Sequence, residues 1–191
     1  FAALGDVRTF SGRSLRPGDL AGADALIVRA VTRVDEHFLA GSRVRLVGTV
    51  TTGTDHVDPS WLKRHGITFA SAAGSNADAV AEYVLAAVLL LAHRLGFDPR
   101  DRTLGVVGVG RIGGRVVQWA RALGMSVLLC DPPLRRRTGD PSYIDGAELA
   151  GSADIVTLHV PLTEEGPDAT RDFVDERWLA SLKPGAILLN T

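Results

Sequence analysis

The sequence predicts an α/β protein made of two doubly wound parallel-sheet domains. Three observations lead there. Short apolar runs of strand length alternate with helix-period segments along the chain, the pattern of βα units whose parallel sheet is covered by helices on both faces. A glycine-rich turn, Gly108, Gly110 and Gly113, separates one such run from one such helix. A second apolar run follows that helix and ends in an acid, Asp131.

The stretch from Leu104 to Asp131 has parts with separate mechanical duties. Leu104-Gly105-Val106-Val107 reads as a buried strand. The helix after the glycines carries Ile112, Val116, Trp119, Ala120 and Leu123 on one face and is closed by Gly124. Val127 to Cys130 is the second strand. Strand, G-x-G-x-x-G turn, helix, strand and terminal acid together form the dinucleotide-binding fingerprint of a Rossmann domain. Gly108 permits the tight turn, Gly110 lets backbone approach a pyrophosphate, and Gly113 lets the helix lie close to the strand. The N–H groups of the helix start and the helix dipole favour the phosphates. Asp131 lies roughly 20 residues beyond the glycines, where a carboxylate accepts the ribose hydroxyls and repels a 2′-phosphate. The cofactor is therefore expected to be NAD. Arg135-Arg136-Arg137 reads as a solvated loop, with Pro132-Pro133 turning the chain outward before it.

In the first part of the chain, strands are expected at Val7–Phe10, Ala25–Val28, Val44–Thr49 and Ile67–Ala70. A short helix over Asp35–Ala40 is capped by Asp35. Asp58-Pro59 starts another, with proline at its favoured first position and Trp61 and Leu62 facing inward. Two strand-end loops carry polar chemistry: Arg29-Ala30-Val31-Thr32, and the run Thr49 to His56, with four threonines and a glycine. Ligands of open α/β sheets bind outside the carboxyl ends of strands, and hydroxyls with free N–H groups there suit a small oxyanion. The threonines equally serve as caps for the segment that follows. Ala77 to Leu95 is the strongest helical signal, with Asn76 as its cap and His93-Arg94 near its end. It is apolar nearly all round, so two surfaces must cover it: its own sheet and, as an expectation, a second subunit in a homodimer. After the fingerprint come a helix at Ile144–Ala150, a strand at Ile155–Leu158, a helix at Asp175–Leu182 and a strand at Ala186–Leu189. His159 is expected to be structural or cofactor-adjacent and not a proton donor.

Composition narrows the classes. With 46% apolar and 23% charged residues the chain is that of a globular protein. A net charge of −1 gives no reason to expect nucleic acid or an anionic membrane as a partner. The apolar run Val84–Ala92 is about half of a bilayer span. The single cysteine, Cys130, excludes an intrachain disulfide and fits a reducing cytoplasm. The histidines are scattered, with no metal-ligand spacing. Both ends look cut, because Phe1 is no initiator methionine and Thr191 follows directly on an apolar strand; the sequence reads as a fragment.

TTGTDHVD (Thr51 to Asp58), N-x-x-x-V-A-E-Y (Asn76 to Tyr83), GVVGVGRIGGRV, LHVPLT (Leu158 to Thr163) and LKPGAILLNT (Leu182 to Thr191) together resemble the D-isomer-specific 2-hydroxyacid dehydrogenases. The resemblance extends over nearly the whole chain. ALIVRAVTRV (Ala25 to Val34) and the Gly166-Pro167 pair of EEGPDAT point, within that family, to a member acting on a small phosphorylated 2-hydroxy acid. It implies a flavodoxin-like substrate domain over 1–76 and a Rossmann NAD-binding domain over 77–191, both incomplete. It implies NAD-linked oxidation of a 2-hydroxyl, with an arginine orienting the carboxylate and a histidine–glutamate pair moving the proton. Those residues belong beyond Thr191, so no catalytic residue is expected within the sequence. Carried over residue by residue, cofactor contacts fall on Gly108, Gly110, Arg111, Ile112, Gly113, Asp131, Val160 and Thr191. Substrate contacts fall on Thr51, Thr52 and Gly53, and on Ala30, where the most similar members carry serine. The turn Ala73-Gly74-Ser75-Asn76 also departs from the usual P-G-C-N. Two other readings stand beside this one: a sister enzyme of the D-3-phosphoglycerate or hydroxypyruvate type, and an NAD-sensing binding protein on the same scaffold.

Overall fold

The structure, a computed structural model, describes residues 3, 5–11, 13–51 and 53–191. The chain divides into two compact units, Phe1–Ser75 and Asn76–Thr191.

The first unit holds a parallel sheet of three strands, β1 (Ala25–Val28), β2 (Leu46–Thr49) and β3 (Thr68–Ser71), in that spatial order. Two short helices connect them: α1 (Glu36–Leu39) and α2 (Pro59–Arg64). Asp35 and Asp58 cap these helices, accepting from the backbone N–H of Phe38 and Trp61, and Pro59 occupies the first turn of α2 as expected. Val28, Val34, Leu39, Val47 and Leu62 form the core of this unit. β2 begins at Leu46, two residues later than expected, and β3 is displaced one residue towards Ser71. Val7–Phe10 is not a strand. It is irregular, and Val7 and Phe10 are 51% and 43% exposed; among the described residues no strand pairs with it.

The second unit opens with α3 (Ala77–Leu95), which ends at Gly96 in the left-handed conformation that closes many helices. Asn76 precedes α3 at φ −104° and ψ 10°, outside the extended geometry that lets a cap side chain reach the first turn, and it makes no side-chain cap. Four parallel strands follow: β4 (Thr103–Val107), β5 (Ser126–Cys130), β6 (Ile155–Leu158) and β7 (Ile187–Asn190). Their spatial order is β5-β4-β6-β7, so the chain leaves β4 to one side, returns across it and continues on the other. The reversal places a topological switch point between β4 and β6.

Helices cover both faces, as an all-parallel sheet requires. On one face α3 and α4 (Arg111–Ala122) bury Val84, Val88, Val116 and Ala120 against Leu104 and Val106. On the other, α6 (Gly146–Ser152) and α7 (Glu176–Ala180) bury Leu149, Ala150 and Trp178 against Val107, Val156 and Leu158. Strands buried on both sides read as continuous apolar runs, which is why β4, β5 and β6 are legible in the sequence. The arginine run forms the helix α5 (Pro132–Thr138) and not a loop. The adjacent prolines that suggested an outward turn sit at its first positions, where a missing N–H costs nothing, and Asp131 caps it. The substrate-domain and flavodoxin-like expectations for 1–76 rest on the resemblance alone.

Candidate functional site

Strand register assembles the site. Val107 pairs with Cys130 and with Leu158, and Leu158 pairs with Asn190. The next residue on each strand therefore lies in one row along the carboxyl edge of the sheet: Asp131, Gly108, His159, Thr191. The row is hydrogen-bonded along its length. Gly108 N–H donates to the Cys130 carbonyl (2.8 Å) and His159 N–H to the Val107 carbonyl (2.8 Å). Thr191 Oγ1 lies 2.8 Å from His159 Nδ1.

The three glycines have the spaces their duties need. Gly108 takes φ +84°, and a Cβ there would stand 2.6 Å from the His159 carbonyl oxygen, so only glycine lets β4 turn this close to β6. A Cβ on Gly113 would fall on the Gly108 carbonyl oxygen, well inside contact distance. A Cβ on Gly110 would meet nothing within 4 Å. Gly110 thus faces open space at the start of α4, where Arg111 and Ile112 supply unpaired N–H groups of the first turn. That cradle fits a pyrophosphate.

Asp131 is more occupied than expected. One carboxylate oxygen accepts from Val109 N–H (2.9 Å), inside the glycine turn, and the other accepts from Leu134 N–H (2.9 Å), in the first turn of α5. A carboxylate has about four lone-pair sites, so two remain for ribose hydroxyls. The acid therefore fixes the glycine turn and starts a helix, and still has the capacity to hold a diol.

Thr157 is fully buried, and its hydroxyl lies 3.0 Å from His159 Nε2. With Thr191 on Nδ1, both ring nitrogens are engaged. Burial pushes the imidazole down to about 4, so the ring is neutral at physiological pH. The period of two that puts Thr157 and His159 on one side of β6 could have disclosed the pair from the sequence; the Thr191 contact depends on strand order and could not. Val160 packs partly buried against the core under β6. Burial, helped by Asp131 and Asp145, pushes the Cys130 thiol up to about 11, so it stays protonated and serves as core. Among the described residues no cluster of side chains suits a metal ion, and no helix is long and apolar enough to cross a membrane.

In the first unit, the buried Thr49 at the end of β2 organises the polar loop. Its hydroxyl lies 2.8 Å from Thr51 Oγ1 and 3.0 Å from His56 Nε2, and Thr51 Oγ1 donates to the Gly53 carbonyl (3.2 Å). The structure thus joins Thr51 and Gly53 in one network with Thr49 and His56, the two ends of the polar run read from the sequence, which were not among the substrate contacts carried over from the resemblance. Ala30 lies exposed in the turn after β1. Thr52 lies outside the described residues.

Fold and edge chemistry define a dinucleotide-binding α/β protein of the doubly wound class. The chain belongs to the D-isomer specific 2-hydroxyacid dehydrogenase family, whose NAD binding domain its residues 77–191 match. It is 50% identical over 190 residues to the erythronate-4-phosphate dehydrogenases of Salmonella arizonae and Escherichia coli, covering 100% of this chain and 50% of each relative. The chain spans half the length of these curated relatives. Among solved structures, D-lactate dehydrogenase from Aquifex aeolicus, complexed with NAD and lactic acid, superposes with a TM-score of 0.75 at 27% identity, over 93% of this chain and 59% of that one. The NAD+-bound 3-phosphoglycerate dehydrogenase of Entamoeba histolytica gives 0.76 at 26% identity, over 91% and 57%.

Proposed function

We propose that the protein carrying this chain oxidises the 2-hydroxyl of 4-phospho-D-erythronate to the 2-oxo acid, 3-hydroxy-2-oxo-4-phosphooxybutanoate, reducing NAD, as a step of pyridoxine biosynthesis. The observation that supports this substrate most is the 50% identity, over the whole chain, to erythronate-4-phosphate dehydrogenases. The observation that supports the cofactor role is the glycine row: a turn held against His159 on one side and open at Gly110 on the other.

NAD supplies the hydride acceptor when bound. The residues of this chain bind and orient. The α4 N-terminus takes the pyrophosphate, with Gly108 and Gly113 holding the turn and Arg111 and Ile112 offering N–H groups. Asp131 takes the adenosine ribose through its remaining lone pairs, while Val160 and Thr191 flank the edge on the β6 and β7 side. Thr51, whose hydroxyl is hydrogen-bonded to that of Thr49, offers a hydroxyl to the substrate, and Gly53 and Ala30 add contacts from the loops after β2 and β1. Proton transfer falls to residues that the family resemblance places beyond Thr191.

The same reading takes the protein as cytoplasmic and as a homodimer through α3, whose Tyr83, Leu89, Leu90 and Leu95 are exposed although α3 buries its opposite side. A strictly monomeric full-length protein in sedimentation would remove the dimer. For function, the full-length protein is assayed for NAD reduction with 4-phospho-D-erythronate and with D-3-phosphoglycerate. The first is expected to be the far better substrate, and the reverse order would overturn the assignment.

A further inference from the structure

Two signals at the adenosine end of the edge oppose each other. Asp131 favours NAD, because a carboxylate repels a 2′-phosphate. The helix it caps carries Arg135, Arg136 and Arg137, and an arginine near that position is what accommodates the 2′-phosphate of NADP. Arg136 follows Asp131 by about 7 Å along a helix axis, a distance that a guanidinium on its long stem can span.

The EEGPDAT loop resolves the conflict. Its Asp168 forms an ion pair with Arg136. The two residues follow different strands, Arg136 after β5 and Asp168 after β6, with β4 and its glycine turn between them. The pair therefore ties the helix after β5 to the loop after β6. Asp168 is not on a loose tip. The loop is stapled at its neck, where Thr163 N–H donates to Thr170 Oγ1 (2.8 Å) and Thr170 and Arg171 N–H both donate to the Thr163 carbonyl (3.0 and 2.9 Å). Beyond the neck, Phe173 packs against Trp178 in the core under β6 (ring centroids 5.6 Å apart). The acid is thus held by its own closed loop, and its ion pair ties the Arg136 guanidinium to that loop.

We propose that Asp168 is a specificity determinant for NAD against NADP: from the β6 loop it neutralises and holds Arg136, which would otherwise bind the 2′-phosphate. This rests on the cofactor site described under Proposed function. Asp131 repels the phosphate directly, while Asp168 disarms the cation beside it, and the two act from different strands.

The test titrates NAD and NADP separately onto the full-length protein, wild type and variants, at low and high salt. Asp168→Asn is expected to improve NADP affinity relative to NAD by about twofold to fivefold, the range of an exposed ion pair. The gain is expected to shrink at high salt, as exposed charges are screened, and to vanish in Asp168→Asn/Arg136→Gln. Glu164→Gln removes a negative charge from the same loop, but Glu164 pairs with Arg171, and it is expected to leave the NAD-to-NADP ratio unchanged. The proposal is overturned if Asp168→Asn leaves the ratio unchanged, weakens both cofactors equally, keeps its gain after Arg136→Gln, or is matched by Glu164→Gln. A wild-type protein that binds neither cofactor defeats the cofactor site itself, a separate outcome.

Discussion

Two adjacent glycines at the start of α4 are expected to respond in opposite ways to the same methyl group. A Cβ on Gly113 would land on the Gly108 carbonyl oxygen and stand 3.0 Å from its carbon and 3.2 Å from Val106 Cγ1. Two of these atoms are backbone of the glycine turn, and the third is a buried strand side chain, so no flexible end can move aside. The first turn of α4 must retreat by about 1 Å, a disruption at the upper end of overpacking costs, about 3 kcal/mol. That retreat also withdraws the N–H groups of the helix start. A hydrogen bond to a charged group contributes about 1.5–3 kcal/mol, so losing one to the pyrophosphate weakens NAD by at least about tenfold. On Gly114 a Cβ meets nothing within 4 Å. Alanine there gains helix propensity, about 0.5–1 kcal/mol, without a clash.

Gly113→Ala and Gly114→Ala in the full-length protein, compared by urea unfolding and NAD titration, separate these cases. Gly113→Ala is expected to lose stability and cofactor affinity together, and Gly114→Ala to keep both or gain slightly in stability. A Gly113→Ala midpoint equal to wild type would refute the packing argument. So would a Gly114→Ala protein that falls with it, because the damage would then come from the shared loss of glycine and not from the Gly108 carbonyl.

Further expectations concern the two ends of the same edge. Asp131→Ala removes a helix cap and the acceptor of the Val109 N–H, costing about 2 kcal/mol as well as NAD affinity; a calorimetric titration unchanged from wild type would remove Asp131 from the site. For His159, burial lowers the folded pKa from 6.5 to about 4, so the unfolded chain binds the proton more readily. The associated stability is complete above about pH 6.5 and is lost as pH falls from there towards about 4. The full shift corresponds to about 3 kcal/mol, discounted to about 1–2 for partial exposure. His159→Gln is expected to flatten the decline of Tm over that window, and an unchanged slope would show that the decline comes from other groups.

What the sequence disclosed, and what it withheld, follows from how far each interaction reaches along the chain. β4, the glycine turn, α4 and Asp131 were legible because each is set by neighbours: buried strands read as apolar runs, and the turn by the spacing of its glycines. The caps at Asp35 and Asp58 are equally local. Val7–Phe10 misled because a short run bounded by apolar residues records what a strand would bury, not whether a partner strand is there to receive it. The arginine run misled for a different reason. Two prolines mark either a turn or the first positions of a helix, and the choice depends on whether the preceding Asp131 caps, which in turn depends on the backbone that Asp131 meets. The pairs that complete the edge, His159 with Thr191 and Arg136 with Asp168, are 32 residues apart in each case. His159 and Thr191 become neighbours because β6 and β7 pair side by side, and Arg136 and Asp168 because the segments after β5 and β6 meet although β4 lies between those strands. Both pairs lie at the carboxyl edge, where open α/β sheets bind their ligands, so the residues hardest to foresee are those that strand order and long loops bring to that edge, and cofactor selectivity in this chain is best sought there.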